Sequence, residues 1–245
     1  MARTAIVTGG SRGIGASICR LLGAAGWNVV VNYAGRADAA QAVAREIEAS
    51  GGQALVMQAD VARKVDVNRL FAACDEAFGG LDALVNNAGV IGRRGRFEDL
   101  DDAVMAQVLA INVLGCMLCA HAAIPRLSTR HGGRGGAIVN ISSGNALSGG
   151  PGESVLYSVS KGAVNSLTIG LSQELAGEGI RVNTVSPGLT DTDMPGADKI
   201  ASIGPTIPIG RVAHPDEIAE GVIWLLSDKA SYVAGANLRI GGGRP

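Results

Sequence analysis

Ala5-Ile6-Val7-Thr8-Gly9-Gly10-Ser11-Arg12-Gly13-Ile14-Gly15 is the stretch whose reading decides the fold. A short apolar run passes into a glycine-rich turn, and the turn opens a helical pattern near 14–25. Glycines at a strand-to-helix turn let the backbone bend tightly and approach a pyrophosphate, whose charge the helix N-terminus favours. Any tight strand-to-helix turn also wants glycine. The turn therefore takes its meaning from its place at the first strand–helix junction of an alternating chain.

That alternation runs from end to end. Short apolar runs at Ala5–Thr8, Asn28–Asn32, Ala54–Met57, Ala83–Asn86, Ala137–Ser142, Arg181–Ser186 and Asn237–Ile240 read as seven strands. Helical patterns fill the gaps near 14–25, 37–50, 64–78, 101–127, 154–178 and 215–227. Strands separated by helices need crossover connections, which predicts a parallel sheet with helices on both faces. The expected fold is α/β: a doubly wound, seven-stranded Rossmann fold in a single domain over residues 1–245. No linker or repeat divides the chain, and the glycine-rich run Gly132–Gly136 reads as a loop.

Composition narrows the partners. Hydrophobic residues make up 47% of 245, enough for a large core, and 21 basic against 22 acidic residues leave a formal charge of −1. No polyanion-binding or polybasic membrane surface is expected, so neither nucleic acid nor membrane is a predicted partner. Met-Ala-Arg-Thr leads straight into the first strand without the features of a targeting segment, and no apolar run is read as long enough to span a bilayer. The expected location is the cytoplasm. Cys19, Cys74, Cys116 and Cys119 show no paired framework and read as reduced core residues. Cys116-Met-Leu-Cys119 near His121 lacks the second ligand pair of a metal site, so no metal is expected; a redox role for the two thiols would require them to be accessible.

Chemistry concentrates between Ser142 and Lys161. Tyr157 and Lys161, four residues apart on a predicted helix, share one face. A free phenol has a pKa near ~10, and a neighbouring ammonium favours the phenolate, so such a tyrosine can act as a general acid or base. Hydride transfer to a ketone builds negative charge on oxygen and calls for a hydrogen-bond donor and a proton source, which a strand-end serine and the Tyr157 phenol would supply.

With Gly-x-x-x-Gly-x-Gly in the first turn, Asn86-Asn87-Ala88-Gly89 after the fourth strand and Tyr157-x-x-x-Lys161, the chain resembles the short-chain dehydrogenase/reductase family over essentially its whole length. The resemblance implies that Lys161 also binds the nicotinamide ribose and lowers the tyrosine pKa, and that Asn112 holds a water in a proton relay. It implies a catalytic Ser143, fourteen residues before Tyr157 where thirteen is commoner. One extra residue in Gly149–Glu153 accounts for this, with Ser142 as the fallback. Cofactor contacts are implied at Asp60 and Val61, at Asn86, Ala88 and Gly89, and at Pro187, Gly188, Thr190 and Thr192 beside the nicotinamide. Gly9, Ser11, Arg12, Gly13, Ile14 and Gly15 would cradle the pyrophosphate.

The end of the second strand bears on which nicotinamide cofactor binds. An acid there would hold the adenine ribose of NAD, and a base would attract the extra phosphate of NADP. The chain offers Asn32-Tyr33-Ala34-Gly35-Arg36, with Arg12 as a second cation, so NADP(H) is expected; NAD(H) would follow if Asp38 took the acid's place.

The run Asp193–Pro208, with Met194, Ile200, Ile203 and Ile207, reads as an apolar substrate lid. Arg93, Arg94 and Arg96 either draw an anionic substrate or form a solvated loop. The expected substrate is a small carbonyl or alcohol. β-Ketoacyl-acyl carrier protein reductases, glucose dehydrogenases and reductases of small ketones are family members it resembles, not separated by the sequence, and a non-catalytic NADP-binding sensor or scaffold is the reading from another class. The resemblance also implies a homotetramer built on the two long helices, the last strand and the C-terminal tail.

Overall fold

The computed structural model describes residues 2–244; Met1 and the tail residue Pro245 lie outside them. The strands are β1 Thr4–Val7, β2 Asn28–Tyr33, β3 Gln53–Gln58, β4 Ala83–Asn86, β5 Gly136–Ile141, β6 Ile180–Pro187 and β7 Asn237–Ile240, all within a residue of the expected bounds. The helices are α1 Gly13–Ala24, α2 Ala37–Ala49, α3 Lys64–Phe78, α4 Asp102–Leu109, α5 Cys116–Leu127, α6 Asn145–Ser148, α7 Val155–Leu175, α8 Ala197–Ile203 and α9 Pro215–Leu226.

All strands pair in parallel in the order β3-β2-β1-β4-β5-β6-β7. From β1 the chain adds strands outward to β3, then returns to lay β4 on the other side and continue to β7. A crevice opens where the direction of winding reverses, beyond the C-terminal ends of β1 and β4.

Successive strand residues face opposite sides, so each strand feeds two cores. Val7 and Val31 pack with Ile18, Leu22, Ile47, Ile218 and Val222 under α1, α2 and α9. Ile6 and Leu84 pack with Leu70, Phe71, Leu127, Ile138 and Val182 under α3, α5 and α7. Burial on both faces explains why these strands read as continuous apolar runs rather than alternating ones. Each such fully buried Leu, Ile or Phe contributes about 1.5–3 kcal/mol.

Three expectations need correction. The helix near 101–127 is not uniform: Ala110–Gly115 is a π-helical stretch between α4 and α5. Gly115 lies so close to β3's exit that a Cβ there would sit 2.7 Å from Val61 Cγ2. The run 193–208 is not a plain loop, since it contains α8 and a 3-10 turn, Gly204–Thr206. And one stretch is long and apolar enough for a membrane span: Asp102–Leu127, with mean hydropathy 2.1 over eighteen residues. Its apolar character has a packing cause on one side, where Val108, Cys119, Ala123 and Leu127 are buried. On the other side Leu109, Leu114 and Met117 are exposed.

Candidate active site

The glycine turn is held from three directions. Gly9 and Gly13 have φ of +62° and +53°, the left-handed region that suits glycine. Asn87 Nδ2 donates to the carbonyls of Thr8 (2.9 Å) and Gly9 (3.0 Å), and the N–H groups of Asn87 and Ala88 both donate to Thr8 Oγ1 at 3.0 Å. From β2, Asn32 Oδ1 accepts the Gly9 N–H at 3.2 Å while its Nδ2 donates to the Ala59 carbonyl at 3.0 Å.

Helix α1 begins after Arg12 in extended backbone, with no side-chain cap and no acid in its first turn. Its first N–H groups are thus left for an anion. A turn with this geometry, leading into an uncapped helix, fits a dinucleotide pyrophosphate.

Several expected cofactor residues turn out to do structural work with their side chains. Asn32 is buried and its amide is committed to the turn. The Asn86 amide points into the sheet, where Nδ2 donates to Asn140 Oδ1 (2.9 Å) and the Cys116 carbonyl (3.3 Å), and its Oδ1 is without a partner among the described residues. Asp60 caps its own turn by accepting the Ala62 N–H at 3.0 Å, and Val61 is buried. Tyr33 packs half-buried against the core. Arg36 is exposed at the start of α2, and Arg12 lies 3.4 Å from Asp193. Asn87 is the residue whose side-chain amide braces the turn, the structural role that the Asn86-Asn87 pair also allowed.

Beyond the strand ends, a cavity of about 500 Å³ gathers Ile14, Gly89, Ser143, Tyr157, Lys161 and the segment Pro187–Thr190 with Thr192. Ser143 and Ser142 are separated by their contacts. The Ser142 hydroxyl is buried and donates to the Lys161 carbonyl at 3.1 Å, whereas Ser143 stands at the cavity that Tyr157 also lines, with its Oγ accepting the Asn145 N–H at 3.1 Å. Between Ser143 and Tyr157 lie α6 and Gly149, Gly150 and Gly152, all three at positive φ.

Tyr157 and Lys161 are both buried on α7, with Nζ 5.6 Å from the phenol ring centre. Lys161 Nζ donates to the Ile141 carbonyl at 2.7 Å. Burial lowers the lysine pKa to about 8, partly offset by Cys116. Burial raises the tyrosine to about 12, partly offset by the Ser143 hydroxyl. The expected lowering of Tyr157 by Lys161 is not found: both groups have left water, and desolvation disfavours each charged form.

Asn112 lies in the π-helical stretch, where its Oδ1 accepts the Val90 N–H at 2.8 Å and its Nδ2 donates to the Val90 carbonyl (2.8 Å) and Ser160 Oγ (3.0 Å). A Cβ on Gly89 would lie 3.3 Å from Asn112 Oδ1 and 3.4 Å from Lys161 Nζ. The missing side chain lets the two polar groups approach the same point.

The three loop arginines are matched by carboxylates: Arg93 with Asp101 at 3.8 Å, Arg96 with Glu98 at 2.6 Å, and, lining the cavity, Arg94 with Glu153. Arg94 also donates to the carbonyls of Met194 (3.2 Å) and Pro195 (3.4 Å), tying the β4–α4 loop to the segment before α8. From the expected lid, Met194 and Ile203 line the cavity, whereas Ile207 is buried away from it. Cys116 and Cys119 are buried and their thiols are pushed up by burial, which closes the route to a surface redox pair.

Residues 9–244 match the family model described as enoyl-(acyl carrier protein) reductase. The chain is 45% identical to an uncharacterized oxidoreductase, YgfF, of Escherichia coli (strain K12), covering 98% of this chain and 99% of the relative. It is 39% identical to the 3-oxoacyl-[acyl-carrier-protein] reductase FabG of Staphylococcus aureus, covering 99% and 98%. Among solved structures, a short-chain dehydrogenase from Burkholderia cenocepacia J2315 in complex with NADP superposes with a TM-score of 0.91 at 38% identity, covering 98% and 97%. A short-chain dehydrogenase/reductase from Serratia marcescens gives 0.92 at 36%, with the same coverage.

Proposed function

The chain belongs to the short-chain dehydrogenase/reductase family of oxidoreductases, and from that premise we propose that it interconverts a carbonyl and a secondary alcohol with NADP(H) as hydride carrier. The observation that carries this reading is the convergence of Ser143, Tyr157 and Lys161 on one cavity beside the glycine turn. NADP(H) supplies or accepts the hydride when bound. The chain's own residues handle the oxygen and its proton. In the direction of reduction, Tyr157 stays protonated at neutral pH and gives its proton to the carbonyl oxygen as charge grows there. The Ser143 hydroxyl donates a second hydrogen bond to that oxygen. Lys161 carries the positive charge that favours the resulting phenolate and holds the nicotinamide ribose. Asn112, meeting Lys161 beside Gly89, continues the route by which Tyr157 recovers its proton.

The turn from Gly9 to Gly15 would hold the pyrophosphate. Arg36, exposed and without an ion pair among the described residues, and Arg12, whose pairing with Asp193 is long and solvent-exposed, would meet the extra phosphate. The NADP complex of the Burkholderia relative favours the same choice. β-Ketoacyl thioesters and sugars remain the substrate groups to try, the first favoured by the likeness to FabG.

We also infer a cytoplasmic homotetramer in which copies cover the exposed Leu109, Leu114 and Met117 beside α4 and α5, and Val159 and Ile169 on α7. Light scattering should give the mass of four chains.

NADPH oxidation across β-ketoacyl thioesters, sugars and small diketones tests the activity. Tyr157→Phe should lower turnover about a hundredfold or more; turnover equal to the unaltered protein would remove Tyr157 from the mechanism.

A further inference from the structure

The loop arginines Arg93, Arg94 and Arg96 that the sequence offered to an anionic substrate are each matched by a carboxylate, and two arginines lining the cavity are not. Of the described residues lining it, Arg94, Lys161, Arg239 and Arg244 are cationic and Glu153 is the one carboxylate. Arg94 takes Glu153, and the Lys161 ammonium faces the Ile141 carbonyl. Arg239 and Arg244 have no carboxylate partner among the described residues.

Backbone geometry holds this pair together. Arg239 stands in register with Ser186 at the end of β6, and the Ile240 carbonyl accepts the Gly188 N–H at 2.8 Å. The chain then turns back through Gly242 and Gly243, at φ of +62° and +88°. The Arg244 N–H donates to the Gly241 carbonyl at 3.2 Å, and the Arg244 carbonyl accepts a hydrogen bond from Arg239 Nη2 at 3.0 Å. The fold thus places two arginines on the cavity wall, the Arg239 guanidinium tied to the Arg244 backbone, in a protein of formal charge −1. A concave wall with unmatched charge of one sign concentrates ligands of the other, and guanidinium suits planar oxyanions.

We propose that the substrate carries an oxyanion, carboxylate or phosphate, held by Arg239 and Arg244 while its carbonyl meets Tyr157. The inference rests on the proposed function for the position of the carbonyl.

The test is calorimetric titration of the NADP⁺-loaded protein with two matched pairs. Acetoacetate against its methyl ester probes carboxylate, and dihydroxyacetone phosphate against dihydroxyacetone probes phosphate. At least one anion should bind about tenfold or more tightly than its neutral partner, the size of a charge-assisted contact. Added salt should shrink the advantage. Arg239→Gln with Arg244→Gln should bring the ratio to about one, and the paired Arg→Lys changes should keep part of it. Anions that bind no better than their neutral partners, or not at all, overturn the proposal, as does a preference that survives the double glutamine change. Binding is read without turnover, so a protein inactive on every carbonyl would sink the proposed function and leave this result standing.

Discussion

Replacing Gly15 by alanine is the sharpest probe of the turn on which the fold and the cofactor reading both depend. A Cβ on Gly15 would lie 2.3 Å from the Gly9 carbonyl oxygen and 2.5 Å from Asn87 Nδ2, more than an ångström inside ordinary contact. Neither neighbour is a flexible chain end: Asn87 Nδ2 is fixed by the Thr8 and Gly9 carbonyls. Overpacking of this kind costs about 1–3 kcal/mol, and two strained hydrogen bonds add about 1 kcal/mol each. The alanine gains up to about 1 kcal/mol of helix propensity, leaving a net loss of about 2–4 kcal/mol. For a chain of this length that lowers Tm by roughly 5–15 °C. The turn must also open, so NADPH affinity measured by fluorescence titration should fall at least about tenfold, one lost charge-assisted contact. Gly177, which a Cβ would leave with nothing within 4 Å, is the matched control and should tolerate the same exchange. A Gly15→Ala protein with unchanged Tm and NADPH affinity would refute the account of the turn.

Other expectations follow from the same contacts. Ser143→Ala should reduce turnover about a hundredfold, while Ser142→Ala should mainly cost about 1 kcal/mol of stability through its lost bond to the Lys161 carbonyl; comparing kcat with urea midpoints separates them. Lys161, lowered from 10.5 to about 8 on folding, makes the unfolded chain hold more protons between those values. The Lys161 contribution to stability should therefore rise with pH across that window, by about 3 kcal/mol. Burial raises the pKa of the four thiols and of Tyr157, which oppose this at the alkaline end, so the rise should appear in urea melts from pH 7.5 to 10 as the difference between the unaltered protein and Lys161→Met. Arg36→Ala should narrow the ratio of NADPH to NADH affinity about tenfold or more, and an unchanged ratio would remove Arg36 from cofactor choice.

Period and punctuation carried the sheet. All seven strands and the first turn could be read because buried parallel strands are short apolar runs and the turn needs glycine wherever it occurs. What could not be read was the destination of individual side chains. Asn86 and Asn32 are polar residues at strand ends, and only the neighbouring strands determine that their amides face inward. Arg94 and Arg239 look alike in sequence, yet one meets Glu153 and the other meets no carboxylate among the described residues. The π-helical stretch at 110–115 and helix α8 depend on tertiary contacts rather than on a long periodic pattern. The opposite pKa shifts of Tyr157 and Lys161 arise from burial, which spacing on a helix does not reveal.

The amide of Asn86 belongs to a row that crosses the sheet. Asn86, Asn140 and Thr184 are aligned partners on β4, β5 and β6, and Thr168 of α7 accepts from both Asn140 Nδ2 (2.9 Å) and Thr184 Oγ1 (2.7 Å). A sheet of valines and isoleucines can slide by two residues and still bury the same faces. With this row in place, such a slip would strand several buried polar groups at about 1–3 kcal/mol each. The row therefore acts as an alignment key, penalising misassembled strand pairings during folding. Because Ser143 follows β5 by two residues and Tyr157 rides on the helix keyed by Thr168, the same penalty keeps the reacting groups in step.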